Sequence, residues 1–395
     1  MSYLEPSLIF DCDVNHRIIN ANIEFDYVFN RDINANLPNT IIFGRYFNNN
    51  IINANLPQDL TSITFGNMFN QSIISANLPQ GVKSIIFGNR FNQSIINANF
   101  PQGLKSVTFG HNFNQSIMNA KLPQGLKSVT FGSMFNKSVI NANLPHRLKS
   151  ITFGYYFNHS ITNANLPEGL TSIIFGELFN QSIMSVNLPS GLLSIKFGYN
   201  FNQSVMSANL PNGIKSITFG GDFNHNILSA NLPHKLKSLT FGWCFNHSII
   251  SANLPDGLSS ITFGHSFDQN IIDINLPRNL KTIIFGNNFN QNIIDINLPH
   301  KLKSITFGWC FNKSIINANL PCGLASITFG FRYNKNIIDI NLPPNLYYIY
   351  DYSNSIEFHE SLPKTLYSII YINYITGRET VKYKRTVGKH TKSAR

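Results

Sequence analysis

Charge is scarce in this chain. Asp, Glu, Lys and Arg make up only 12% of its 395 residues, with 19 acidic side chains against 30 basic ones. Apolar residues nevertheless reach 43%, so the low charge does not signal a disordered polymer, which would be poor in apolar side chains. Long hydrophobic runs are missing too: no stretch approaches the roughly 18 apolar residues of a membrane helix. The opening Met1-Ser-Tyr-Leu-Glu-Pro6 has neither the basic start nor the apolar stretch of a secretory signal. Only four cysteines occur (Cys12, Cys244, Cys310, Cys322), and none has Cys-x-x-Cys spacing. Reduced thiols and an intracellular setting, cytoplasmic or nuclear, fit that usage.

What the chain has in abundance is itself. A 22-residue unit recurs without insertion or deletion, opened by Phe47, Phe69, Phe91, Phe113, Phe135, Phe157, Phe179, Phe201, Phe223, Phe245, Phe267, Phe289, Phe311 and Tyr333. A typical copy reads Phe-Asn-Gln-Ser-Ile-Ile-Asn-Ala-Asn-Leu-Pro-Gln-Gly-Leu-Lys-Ser-Ile-Thr-Phe-Gly-x-x. Length alone would suggest two or three domains. The fixed period overrides that, because each copy contacts mainly its neighbours and the array grows in one dimension. An enzyme site needs unlike residues converging at one place, whereas a repeating chain builds a long regular surface.

With the opening aromatic as position 1, the copy that starts at Phe201 shows what each position does. Ser216-Ile217-Thr218-Phe219, at positions 16–19, alternates polar and apolar, as a strand with one buried face does. A second alternation, Met206 to Leu210 at positions 6–10, predicts another short strand with Met206, Ala208 and Leu210 facing inward. Leu210-Pro211-Asn212-Gly213 reads as a tight turn. Gly220, at position 20, reads as a bend in a backbone conformation that other residues resist. Stacked coils put like over like, so Asn forms columns at positions 2 and 9, both expected to hydrogen-bond along the stack. At the same spacing Cys244 and Cys310 lie about 14 Å apart, beyond disulfide reach.

The ends depart from the period. Residues 1–46 read as degenerate N-terminal capping repeats, 47–346 as the in-register array, 347–371 as a degenerate C-terminal cap and 372–395 as a basic tail. The last nineteen residues hold seven Lys or Arg and one Glu, so they carry six of the eleven net positive charges. That tail includes Lys382, Lys384, Arg385, Lys389 and Lys392, a pattern suited to nucleic acid or another acidic surface.

The Phe-Asn-x-x-Ile, Leu-Pro-x-x-Leu-x-Ser-Ile and Phe-Gly elements resemble the FNIP repeat, a 22-residue relative of leucine-rich repeats found in social amoebae and giant viruses of amoebae. The resemblance spans nearly the whole chain. It implies a β-rich solenoid, a right-handed stack of 22-residue coils with a parallel sheet on its inner face. It also implies a binding scaffold. Some family members carry an F-box or a kinase domain; Ser7 onward already reads as coil here and no kinase motif is present, so those roles do not carry over.

Candidate contact residues come from comparing copies. Most positions are nearly fixed, but positions 21 and 22 vary freely, reading Arg45-Tyr46, His111-Asn112 or Trp243-Cys244 in different copies. They follow the strand and are expected to crown the sheet edge. Exposed aromatics with arginine are what binding hot spots use, which singles out Tyr155, Tyr156, Tyr199, Trp243, Trp309, Phe331 and Arg332; loosely constrained turn filling is the alternative. A lysine column at position 15 (Lys83, Lys105, Lys127, Lys149, Lys215, Lys237, Lys281, Lys303) is suited to following a phosphate backbone, though solubility explains it more simply. Asp273 and Asp295 stack in adjacent coils as paired carboxylates do in sugar hydrolases, without distinct companion residues. His225 and His247, with His159 in the same column, lack the further ligands of a metal site. No catalytic, cofactor or metal residue is assigned.

The function expected from the sequence is therefore a non-enzymatic scaffold that holds another macromolecule, most simply a protein, inside the cell (the host cell if the source is viral). Nucleic-acid binding through the lysine column and tail is the first rival. A polysaccharide-acting solenoid enzyme is the second.

Overall fold

The computed structural model describes residues 8–10 and 39–384, apart from 55, 338, 339, 357–361 and 374. The expected N-terminal coil segments within 11–38 lie outside the described residues. The chain divides into two compact units, Met1–Gln203 with Ala208–Ile214, and Ser204–Ser207 with Lys215–Arg395. Each is a β-solenoid, and no helix occurs among the described residues.

In the first unit the strands are β1 (Leu8–Phe10), β2 (Thr40–Phe43), β3 (Ser62–Thr64), β4 (Ser84–Ile86), β5 (Ser106–Thr108), β6 (Ser128–Thr130), β7 (Ser150–Thr152), β8 (Ser172–Ile174) and β9 (Ser194–Lys196). Each pairs in parallel with its sequence neighbour, and from β2 on the register is one period, as in Ile85 opposite Val107. The second unit runs β10 (Ser216–Thr218), β11 (Ser238–Thr240), β12 (Ser260–Thr262), β13 (Thr282–Ile284), β14 (Ser304–Thr306), β15 (Ser326–Phe329), β16 (Tyr348–Asp351), β17 (Ser368–Ile372) and β18 (Glu379–Lys384). It is parallel through β17, whose last neighbour β18 is antiparallel.

Burial follows the period. In the Phe91 copy, Phe91, Ile95, Ala98, Phe100, Leu104, Val107 and Phe109 are buried, at positions 1, 5, 8, 10, 14, 17 and 19. Within each unit the two Phe columns form ring stacks. Phe91 and Phe113 lie 6.0 Å apart, Phe87 and Phe109 5.5 Å, and Phe109 meets Phe113 at 4.0 Å. Such offset contacts add to the transfer free energy of burying the rings.

The second strand does not form. At positions 4–6 a side chain competes for the backbone: Ser116 Oγ accepts the Met118 N–H at 3.2 Å, and Asn270 Oδ1 accepts the Ile272 N–H at 2.9 Å. That local bond offers an alternative to a ladder. At position 7, Asn97, Asn119, Asn141, Asn163 and Asn317 sit at φ of 61–66°, the left-handed region that Asn tolerates. The segment is thus a chain of turns: Met206 points out, while Val205 and Ala208 fill the core and Leu210 is half-buried.

The two Asn columns also part company. Position 2 builds a ladder in which each side-chain oxygen accepts the backbone N–H one coil on, as Asn92 Oδ1 does from Asn114 at 2.9 Å. The following Gln adds a bond, Gln115 Nε2 to Asn92 Oδ1 at 3.0 Å. Position 9 is exposed throughout, and its described Asn side chains make no such bonds.

Glycine at position 20 is explained by proximity rather than by an unusual dihedral. A Cβ on Gly154 would stand 1.8 Å from the Gly132 carbonyl oxygen, and 1.5–1.9 Å recurs at the other described members of the column. Only a hydrogen fits between these coils.

Candidate functional site

Positions 21 and 22 join the strand to the next buried Phe, and their backbone is fixed. The position-22 N–H donates to the position-21 carbonyl one coil back: Met68 to Arg45 at 2.9 Å, Tyr156 to Ser133 at 2.9 Å, Cys310 to Asn287 at 2.7 Å and Arg332 to Trp309 at 3.0 Å. The Phe that follows donates to the position-20 Gly, as Phe157 does to Gly154 at 3.0 Å. A regular hydrogen-bonded rail therefore carries side chains that range from Gly221 to Trp243.

Tyr155, Tyr156, Tyr199, Trp243 and Phe331 are all exposed, between 41% and 53%. Trp309 is half-buried and Arg332 exposed. The rings are not loose. Trp243 stacks on His265 with centroids 4.0 Å apart, Trp309 on Phe331 at 4.6 Å, and Tyr155 meets Tyr156 edge-on at 5.1 Å. Rigid, half-exposed aromatics lose little entropy when a partner covers them.

Two aromatic groups were not singled out from the sequence. Tyr46 is exposed with the Arg45 guanidinium 5.6 Å from its ring centroid, at the same two positions. On β16 and just after the last regular coil, Tyr347, Tyr348 and Tyr350 replace the usual Lys, Ser and Thr. Tyr348 lies 6.0 Å from Tyr350 and edge-on to Tyr367 at 5.8 Å. That break in the Lys-Ser-x-Thr column was the available signal.

The lysine column turns out to be tied down in several copies. Lys149, Lys237 and Lys303 donate Nζ to the carbonyls of Gly169, Gly257 and Gly323, each in the next coil, at 3.0–3.1 Å. His159 and His247 do the work of the usual Gln, with Nε2 3.1 and 2.9 Å from the Asn136 and Asn224 carbonyls. Asp273 and Asp295 are exposed. Asp256 pairs with Arg278 at 3.3 Å on the surface, and Asp268 takes an Asn's place in the ladder, accepting from Asn290 N–H at 2.8 Å.

Part of the expected tail is structure. Lys382 lies in β18 and its Nζ is 3.2 Å from the fully buried Asp351 carboxylate and 2.8 Å from the Ile356 carbonyl. Asp351 also accepts the Ser353 and Ile356 N–H groups at 2.8 and 3.0 Å. Lys382 is thus a half-buried cap contact rather than a free cation. Lys384 lies 5.8 Å from the Tyr367 ring. Arg385, Lys389 and Lys392 lie outside the described residues.

A single parallel strand per 22-residue coil, an apolar interior of stacked columns and a polar strand face define a leucine-rich-repeat-like solenoid. The FNIP Repeat model matches eleven segments that together run from residue 29 to residue 350, and the chain belongs to that family. Among solved structures it is similar to CroV588, a circular LRR protein from a giant virus, at 37% identity and a TM-score of 0.73 over 85% of this chain and 53% of that one. It also resembles a chain of the Drosophila Toll–Spatzle complex, at 10% identity and a TM-score of 0.50 over 84% of this chain and 52% of that one, a likeness of fold alone. The chain therefore spans about half the length of these two relatives. No curated protein matches it. No helix among the described residues is long and apolar enough to cross a membrane.

Proposed function

We propose that this protein is a non-enzymatic scaffold that binds a protein partner through the edge formed by positions 21 and 22. One observation carries the reading: the rail's hydrogen bonds are uniform from coil to coil while its side chains differ at every step. Beyond local contacts, such as Glu177 Oε2 accepting the Tyr199 N–H at 2.8 Å and Trp243 stacking on His265, the rail asks little of those side chains, so their variety is available for recognition. Tyr155, Tyr156, Tyr199, Trp243, Trp309, Phe331 and Arg332 supply the aromatic and guanidinium groups that dominate binding hot spots. The free thiols of Cys244, Cys310 and Cys322 suit a reducing interior, and the FNIP family's occurrence in social amoebae and giant viruses of amoebae makes an amoebal cell the setting to test.

The test is quantitative capture from amoebal extracts with the full chain and with the Trp243→Ala, Trp309→Ala double variant. The expected outcome is a specific set of proteins recovered about tenfold less well by the variant, the factor that ~1.4 kcal/mol supplies. Equal recovery by both chains contradicts the reading. Nucleic-acid binding through the described lysines has less support, because Lys149, Lys237, Lys303 and Lys382 are already engaged with carbonyls or a carboxylate.

A further inference from the structure

In the second unit the lysine column ends in aromatic rings. Its backbone runs from Lys281 through Lys303 and Ala325 to Tyr347 and Tyr367, each N–H donating to the carbonyl one coil back at 2.8–2.9 Å. Beside that column, Tyr348 and Tyr350 on β16 stand opposite Ser326 and Thr328 of β15. Ile349 and Asp351 point into the core, so both rings lie on the outward strand face that earlier coils give to Ser and Thr. Tyr348 is 6.0 Å from Tyr350 and 5.8 Å from Tyr367. Tyr347 and Tyr348 are exposed. Beyond the rings the exposed Lys384 places Nζ 5.8 Å from the Tyr367 centroid. Cations therefore flank an aromatic platform on both sides.

We propose that this end of the sheet binds single-stranded nucleic acid. Proteins with that property combine cations along the path of the phosphates with aromatic faces on which successive bases stack. The lysine column alone offers no such faces; here it gains them. The charge around the platform has one sign. The outward residues of β13 to β17 include no carboxylate. From Leu362 to Arg395 eight Lys or Arg accompany a single acid, Glu379, which sits at the end of β18 away from Lys384. A polyanion with unpaired bases matches both the cations and the rings. An acidic peptide matches the cations alone, and a duplex keeps its bases stacked out of reach. The platform shares no residue with the edge proposed to hold a protein, so either can fail without the other.

The repeat itself supplies the control. Tyr347→Lys with Tyr348→Ser and Tyr350→Thr returns this coil to the pattern of Lys303-Ser304-Ile305-Thr306. It removes three rings, adds a positive charge and keeps residues that form the strand elsewhere in the chain. Fluorescence anisotropy with labelled oligo(dT) and oligo(rU) should show the full chain binding at least one of them more tightly than a duplex of equal length. The triple variant should bind at least about tenfold more weakly, because stacking of a single base accounts for roughly that much, with its unfolding midpoint unchanged. Tyr348→Phe with Tyr350→Phe, which keeps the rings, should bind as the natural chain does. The proposal is overturned if neither oligonucleotide binds, or if the triple variant binds as well or better, the mark of bare charge. It is equally overturned if the Phe pair weakens binding as much as the triple variant, or if polyglutamate or the duplex binds as tightly as the single strands.

Discussion

At the scale of single residues, the informative positions are those where a column is broken. Tyr333 stands where thirteen coils carry Phe, fully buried, stacked on Phe311 at 6.0 Å and on Phe329 at 4.1 Å. Its hydroxyl has no hydrogen-bond partner among the described residues, and burial pushes the phenol well above its ordinary value. An unpaired buried hydroxyl costs about 1–3 kcal/mol. Tyr333→Phe is therefore expected to raise the urea midpoint by the equivalent of about 1 kcal/mol; a lower midpoint would show that the hydroxyl is satisfied in solution. The pH dependence has a definite sign. The folded state holds the phenol protonated, so its contribution is complete below the unfolded phenol's pKa of about 10 and falls as pH rises beyond it. Stability measured from pH 9 to pH 11 should decline more steeply in the natural chain than in Tyr333→Phe, by at most about 1.4 kcal/mol per pH unit.

At the scale of elements, the last described elements, β17 and β18, form an antiparallel pair. The antiparallel β18 covers the last parallel strand, β17, and half-buried Lys382 fastens it by pairing with the buried Asp351 carboxylate. Removing Lys382 leaves that carboxylate without its cation, at a cost below the about 3–5 kcal/mol of a fully buried pair. Lys382→Met should therefore speed hydrogen exchange in β17 and β18 while leaving coils such as β11 to β13 protected. Uniform exchange across all of these strands would mean that the cap is not a local unit. The hairpin was hidden in the sequence by its composition: Lys382 and Lys384 read as tail charges, and only their placement shows that one of them neutralises Asp351 at a position other coils give to Phe. The main strands were plain in the alternation of Ser216-Ile217-Thr218-Phe219. The predicted second strand failed because alternation at Met206 to Leu210 is coincidental. Ser204 and its equivalents bond locally, and in five other copies a left-handed Asn at position 7 turns the chain.

At the scale of the whole molecule, the period dictated nearly everything about the interior and little about function. Copying one coil fixes the Phe stacks, the Asn ladder and the glycine contacts together, so each was legible in the sequence as a column. The reason for a column was less legible: Gly154 and its equivalents are kept by a carbonyl about one hydrogen away, a distance that no spacing rule reveals. The candidate edge was visible as the variable pair of positions. Its ring pairings, Trp243 on His265 and Trp309 on Phe331, were not, because they depend on which copies happen to be adjacent. The proposed reading amounts to a division of labour between invariant columns that carry stability and a variable edge that carries little of it.

That division is tested most directly by denaturant unfolding of two matched sets of variants in the full chain. Phe135→Ala, which empties a site in the ring stack, should cost about 3–5 kcal/mol, and Gly154→Ala more than about 4 kcal/mol because its Cβ meets backbone. Tyr155→Ala, Tyr199→Ala and Trp243→Ala should each shift stability by less than about 1 kcal/mol. If the edge variants cost as much as the column variants, positions 21 and 22 are part of the framework and the account of the binding edge is wrong.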